Sequence, residues 1–210
     1  MKQPDLTNIK NIIFDLGNVL YDIRYENIAD VFRTYGITDF EEKYGKMGQV
    51  EEIDLFEEGK ISPAQFRDFI RTLTNIPLTD EQIDHAWNAI MIDVPVQRVK
   101  MLIKLRSKYK LYLYSNTNQI NCDYFENYVI NKFGYNIFET LFIKAYYSHT
   151  LHIKKPKPEG FLAIIEEQHL NPEETLFIDD LERHIKGAQA AGLRTYHHVS
   201  GEIADVMIGR

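Results

Sequence analysis

Apolar residues along the chain fall into two textures. Near the start, Ile12, Ile13 and Phe14 make a short unbroken run that stops at Asp15, and Leu16, Gly17, Asn18, Val19 and Leu20 follow. A run this short, without alternation, predicts a central parallel strand covered on both faces. Lys110 to Ser115, Leu141 to Tyr146 and Thr175 to Asp180 read as further strands, and Leu193 to Tyr196 as a short fifth. Between them the spacing turns helical. Val99, Leu102, Ile103 and Leu105 predict a helix over 96–108, and others are expected from about Thr117 to Val129, over 159–168, and over 182–191 with Gly192 as its stop. Strands alternating with helices give an α/β fold with a parallel sheet and right-handed crossovers.

The second texture occupies residues 22–92, where helices are expected over 25–35, 40–46, 50–58, 64–73 and 81–91. Ile28, Val31, Phe32 and Tyr35 lie at helical spacing, and Gly36 follows as a stop. Ser62 and Thr79 are candidate N-caps, and Pro63 suits a first turn. This reads as a helical block without strands, inserted after the first strand. The chain returns to the sheet at Asp93, Val94 and Pro95. The expected division is a Rossmann-like core of residues 1–21 and 93–210 and a helical cap of residues 22–92.

Composition narrows the classes of function. With 210 residues, 44% of them hydrophobic, the chain has enough apolar material for one α/β domain with an insertion. A net charge of −7 argues against nucleic acid as a partner, while a local basic pocket for one phosphate stays compatible with it. Cys122 is the single cysteine, which leaves no intrachain disulfide and no cysteine-rich metal site. No apolar run approaches the roughly 18 residues that span a bilayer, and Met1 to Lys10 lacks the apolar segment of a signal peptide. The expectation is a soluble cytoplasmic protein with no membrane partner.

Ligands of open parallel sheets bind at the carboxyl ends of the strands, so residues just past those ends should converge. Here they are Asp15, Ser115 with Asn116, and Asp179 with Asp180, joined by Lys155 from the loop Lys154-Lys155-Pro156-Lys157-Pro158. Two like charges about 4 Å apart repel by roughly 4 kcal/mol at a surface-like dielectric, so bringing Asp15 near Asp180 requires a cation. Lys155 and a divalent metal together would supply it. With oxygen donors only, the metal should be hard, and Mg²⁺ fits best. Ser115 and the amides of a helix starting near Thr117 would add neutral donors for a phosphoryl group. Nucleophile, metal, cation and oxyanion donors are the parts of a phosphoryl-transfer site.

Four signatures in order carry a resemblance that covers nearly the whole chain. They are Phe-Asp-Leu-Gly-Asn-Val-Leu at 14–20, Tyr-Ser-Asn-Thr-Asn at 114–118, Lys-Pro-Lys-Pro-Glu-Gly-Phe at 155–161, and Phe-Ile-Asp-Asp at 177–180 followed by Gly187 and Ala188. The chain resembles the haloacid dehalogenase superfamily of hydrolases, in the branch with a helical cap between the first two signatures. Within that branch it is most similar to bacterial phosphatases of sugar phosphates such as glucose 1-phosphate. The resemblance implies that Asp15 is a nucleophile forming an aspartyl-phosphate, that Ser115 and Asn116 bind the phosphoryl group, and that Lys155 neutralises Asp15 and the phosphate. It further implies that Asp180, Asp15 and the backbone carbonyl of Gly17 hold Mg²⁺, with Asp179 in support. The substrate would be a small phosphorylated metabolite, and the cap a lid that excludes water and selects the leaving group.

Two positions depart from that pattern. Most such phosphatases carry a second Asp two residues after the nucleophile, as acid for the leaving alcohol and base for the attacking water; this chain has Gly17. Activity is expected to survive, with water or a cap residue carrying the proton. Asp22 is a conceivable substitute, although a hinge or helix-start role suits it better. His184 stands where Asn or Asp is usual. Lys154 and Lys157 read as solvated neighbours of Lys155, and His149 and His152 as loop or surface residues. Tyr25 and Trp87 are candidates for contacting a sugar. The rival functions are a phosphohexomutase, a 2-haloacid dehalogenase that needs no Mg²⁺, and a catalytically weak interaction module.

Overall fold

The computed structural model describes residues 3–40, 42 and 51–208. Numbered along the chain, the main sheet holds β1 (Asn11–Phe14), β4 (Lys110–Ser115), β5 (Lys144–Tyr147), β6 (Thr175–Asp179) and β7 (Arg194–His197). All are parallel, in the spatial order β5-β4-β1-β6-β7, so the first strand lies at the centre. Its neighbours β4 and β6 are in register with it from Asn11 to Phe14, which carries Asp15, Ser115 and Asp179 to the same sheet edge.

Each face of the sheet is covered, as an unbroken apolar strand requires. Ile12 and Phe14 face a core built with helices Val96–Leu105 and Gln119–Phe133, and Ile13 faces a second core with helices Pro158–Glu167 and Glu182–Ala190. A short helix absent from the expected pattern, Ile203–Ile208, lays Ile203, Ala204, Val206 and Met207 into the first core. The expected strand over 141–146 is displaced. Asn136 caps a helical turn, Ile137–Leu141, by accepting the Phe138 N–H at 3.0 Å, and the strand begins only at Lys144, opposite Tyr112. Apolar side chains such as Phe138 and Leu141 serve that buried turn as well as they would a strand.

Helices Glu26–Thr34, Glu51–Glu57, Pro63–Thr74 and Asp80–Asn88 enclose a third cluster around Phe32, Phe56, Phe66 and Trp87, which Ile120 joins from helix Gln119–Phe133. Both predicted caps form. Ser62 and Thr79 accept the N–H groups of Gln65 and Gln82, whose side chains answer the cap backbones. The helix expected over 40–46 lies almost wholly outside the described residues. The expectation of a block without strands is corrected: β2 (Asp22–Ile23) and β3 (Met91–Asp93) pair antiparallel where the chain leaves and re-enters the sheet layer. Strands of two and three residues carry no readable period, and the pairing comes from two chain segments having to pass side by side.

Gly59 brings the two layers into contact. At φ +64° it sits against His149, and a Cβ there would lie 2.0 Å from the His149 carbonyl oxygen, so only glycine allows this approach. His149 is therefore buried on a short helix, Ser148–Leu151, and the surface role expected for it is corrected.

Arg98 ties the β2 ribbon to the end of the chain. Its Nε and Nη2 donate to the Glu202 carboxylate at 3.0 and 3.2 Å, and Nη1 lies 2.8 Å from Asp22 Oδ1. Although Glu202's own partial burial opposes its charge, Arg98 and the Ala204 N–H hold its carboxyl below the ordinary range. A depressed folded value means stability that is present above the unfolded pKa and is lost as pH falls through the folded one. Arg98→Ala should cost about 2 kcal/mol in urea unfolding at neutral pH. That deficit should shrink as the pH is lowered past the carboxylate range.

Candidate active site

Lys155 is the fully buried centre of the site. Its Nζ donates to Asp15 Oδ1 at 2.6 Å and to Asp179 Oδ2 at 2.7 Å. An ammonium is tolerated at such depth only when paired and hydrogen-bonded, and here two strand ends supply the partners. Burial works against the Lys155 charge, but Asp15 and Asp179 outweigh it and push its pKa up to about 12.

The carboxylates divide that one positive charge unequally. Asp179, also fully buried, gains two further partners: the Leu181 N–H donates to Oδ1 at 2.8 Å, and His184 Nδ1 lies 3.0 Å from both oxygens. Burial alone would raise its pKa, yet Lys155 and His184 hold it well below the ordinary carboxylate range. For Asp15 burial prevails over Lys155, Asp179 adds repulsion, and the carboxyl is pushed up to about 7. Asp180 is likewise raised by burial, against a hydrogen bond that Asn18 Nδ2 donates at 3.2 Å. His184 is thus a brace for Asp179, and burial keeps its own imidazole below the usual pKa.

The site is therefore short of positive charge. Asp15, Asp179 and Asp180 each offer a carboxylate oxygen, all within 4.8 Å of one another. Since Lys155, His184 and the Leu181 amide engage Asp179, Asp15 and Asp180 are the pair best able to hold a hard divalent ion. Gly17 lies just beyond Asp15 and lines the same cavity as Asp15, Ser115, Asn116, Lys155 and Asp180. The space that a side chain at 17 would enter is taken from the ribbon: a Cβ there would lie 2.9 Å from Ile23 Cδ1.

Two expected phosphate contacts are narrowed. Asn116 has its side chain committed to Lys155, donating Nδ2–H to its carbonyl at 2.9 Å and accepting its N–H at 2.8 Å. It thereby sets the loop that presents the lysine. The Thr117 N–H donates to Ser148 Oγ at 2.9 Å, and the helix begins one turn position later with Asn118 as cap, so that amide is not free for an anion. Ser115 is buried at the end of β4 and keeps only a long 3.4 Å bond to the Asn116 carbonyl.

Other residues stand apart from the sequence reading. Asp22 faces Arg98 from β2 and is not among the residues lining the cavity of Asp15. Lys154 is not a solvated neighbour: its Nζ binds Asp54 at 2.6 Å and also Glu57, both on helix Glu51–Glu57, and Lys157 binds the buried Glu58. His152 Nδ1 lies 2.9 Å from the Glu58 carbonyl, and among the described residues neither it nor His149 joins a cluster able to hold a metal. Tyr25 lines the cavity, whereas Trp87 is buried and edges a second, adjoining one. Sequence reasoning missed Asn18, Glu57 and Arg183 in the cavity lining. Asn18, read only as part of the 14–20 signature, has φ 53°, a left-handed position that Asn tolerates.

Lys155→Met should lower stability by about 3 kcal/mol in urea unfolding, because two buried carboxylates lose their cation. Adding Asp15→Asn to that variant should recover part of the loss, and additivity of the two changes would contradict this account of the site.

Comparison with known proteins agrees with this geometry. The profile of the haloacid dehalogenase-like hydrolases matches residues 9–192. A D-ribitol-5-phosphate phosphatase of Bacteroides thetaiotaomicron is 32% identical over 193 residues, covering 92% of this chain and 93% of that protein. A crystal structure of an HAD family enzyme from the same organism, in complex with magnesium and inorganic phosphate, superimposes with a TM-score of 0.86 at 38% identity, over 92% of this chain and 96% of the other. A structure of a predicted HAD-like family hydrolase from Porphyromonas gingivalis gives 0.80 at 29% identity, over 92% and 93% of the two chains. With the parallel sheet, the buried lysine and the convergent carboxylates, these matches establish that the chain belongs to the haloacid dehalogenase-like hydrolases.

Proposed function

We propose that the chain is a Mg²⁺-dependent phosphatase of small sugar or polyol monophosphates. The observation that carries the reading is the fully buried Lys155 between Asp15 and Asp179, with Ser115 and Asp180 lining the same cavity as Asp15. Similarity to a D-ribitol-5-phosphate phosphatase, and to an enzyme crystallised with magnesium and phosphate, supports both the substrate class and the metal.

Asp15 is the nucleophile in this reading. A carboxylate oxygen attacks phosphorus as the bond to the leaving alcohol breaks, giving an aspartyl-phosphate. Water then attacks that phosphorus, the bond to Asp15 breaks, and inorganic phosphate leaves with the carboxylate restored. Lys155 keeps Asp15 oriented and offsets phosphoryl charge, while Ser115 donates to a phosphoryl oxygen. Asp15, Asp180 and the Gly17 carbonyl would hold Mg²⁺, which supplies charge neutralisation at the phosphoryl group. Asp179, braced by His184, fixes Lys155 rather than reacting. With Gly17 in place of an acid, the departing oxygen takes its proton from solvent or from a cap residue.

Residues 22–92 act as the cap, moving about the β2 and β3 ribbon against the core of 1–21 and 93–210. The two adjoining cavities are bounded by residues of both the cap and the core. The metabolite partner is small and phosphorylated; no helix among the described residues is long and apolar enough to cross a membrane. A cytoplasmic place of action belongs to the same proposal.

Full-length protein should release inorganic phosphate from ribitol 5-phosphate with Mg²⁺ and lose turnover in chelator. Asp15→Asn should lower kcat by at least about 10³-fold, since the covalent step is removed. Phosphate release by that variant at the native rate would falsify the mechanism.

A further inference from the structure

The leaving-group side of the site has an unusual charge distribution. Lys155, Lys154 and Arg183 line the cavity that contains Asp15. The adjoining cavity shares Gly17, Ile23, Tyr25, Ser115 and Asn116 with it and extends beneath Trp87, Ile90 and Met91. Among the described residues lining this second cavity there is no lysine, arginine or histidine, and Glu57 is the only charged side chain. Its polar remainder consists of neutral groups, among them Asn118 and Asn121. Cations thus line the phosphoryl cavity, and the Glu57 carboxylate stands where the two cavities meet.

Glu57 is held where it is. It ends helix Glu51–Glu57, borders both cavities, and is ion-paired to Lys154, whose Nζ is also fixed by Asp54 at 2.6 Å. Lys154 adjoins Lys155 in sequence, and Lys157 of the same loop binds the next cap acid, Glu58. The Glu57 carboxylate therefore comes into the site together with the loop of the buried lysine. Its exposure is a quarter, so its charge is only partly screened by water.

Resting on the phosphatase reading, we propose that Glu57 is a specificity-determining residue that selects uncharged polyhydroxy leaving groups. Its carboxylate accepts hydrogen bonds from leaving-group hydroxyls and repels a carboxylate or second phosphate carried there. Lys154, ion-paired to Glu57, tempers its charge. Rejection by a fixed like charge gives discrimination that a shape-based pocket alone cannot, because a carboxylate is no larger than a hydroxymethyl group with its hydration.

The test uses full-length protein with Mg²⁺ and two substrates differing at one carbon, ribitol 5-phosphate and 5-phosphoribonate. Wild type should prefer ribitol 5-phosphate. Glu57→Gln should reduce that preference about tenfold, by raising KM for the polyol and lowering it for the acid, with kcat changed much less. Lys154→Met, which leaves the Glu57 charge uncompensated, should move the preference several-fold the other way, whatever it does to either rate alone. The opposite signs are the readout that mere damage to the fold does not produce. Turnover with an unchanged preference in both variants would overturn the inference and leave the phosphatase reading intact. Absence of Mg²⁺-dependent phosphate release by wild type from either substrate would overturn both.

Discussion

Everything in the site depends on one ammonium group with no access to water. Lys155 Nζ bridges Asp15 and Asp179, which belong to adjacent strand ends, so the central sheet and the loop after β5 are joined through a single charge. Taking that ammonium out of water is costly, and only short, well-aligned bonds to both carboxylates offset it. The surroundings are consequently stiff. Asn116 grips the lysine's own peptide group, His184 and the Leu181 amide anchor Asp179, and Asn18 reaches Asp180. If Asp15 is the nucleophile, as proposed, a carboxylate held this way needs little reorganisation when the substrate arrives, which is how an electrostatically assembled site lowers a barrier.

One cation between two carboxylates also explains why the acids behave differently. Asp179, with His184 and an amide added, retains its negative charge, and Asp15, with fewer donors, is pushed towards protonation in the absence of another cation. In the phosphatase reading proposed above, Asp15 must be ionised to attack, so the arrangement that anchors Lys155 would favour a divalent ion beside Asp15. Metal and nucleophile are coupled by charge balance and not only by proximity.

Much of this was legible in the sequence because strand ends are punctuated: Asp15, Ser115 and Asp179 each terminate an apolar run, and a parallel sheet brings such endings together. The caps at Ser62 and Thr79 were legible for the same local reason. What escaped depends on partners distant in sequence. Lys154 reads as a solvated lysine until helix Glu51–Glu57 is laid over it, about a hundred residues away in the chain. Asn116 reads as an anion binder because its side chain could do either job, and only the proximity of Lys155 decides. The helical turn at Ile137–Leu141 borrows apolar residues that equally suit a strand, and the ribbon of β2 and β3 is too short to show a period.

Ile23 belongs to that ribbon, and its terminal methyl fills the space beside Gly17. The two positions are consequently coupled through space. A side chain introduced at 17 would have to turn the end of Ile23 aside, on a strand whose partner is the return path of the inserted helices. The side chain at 17 and the packing of the β2 ribbon are therefore linked through one terminal methyl, contributed by a residue six positions downstream.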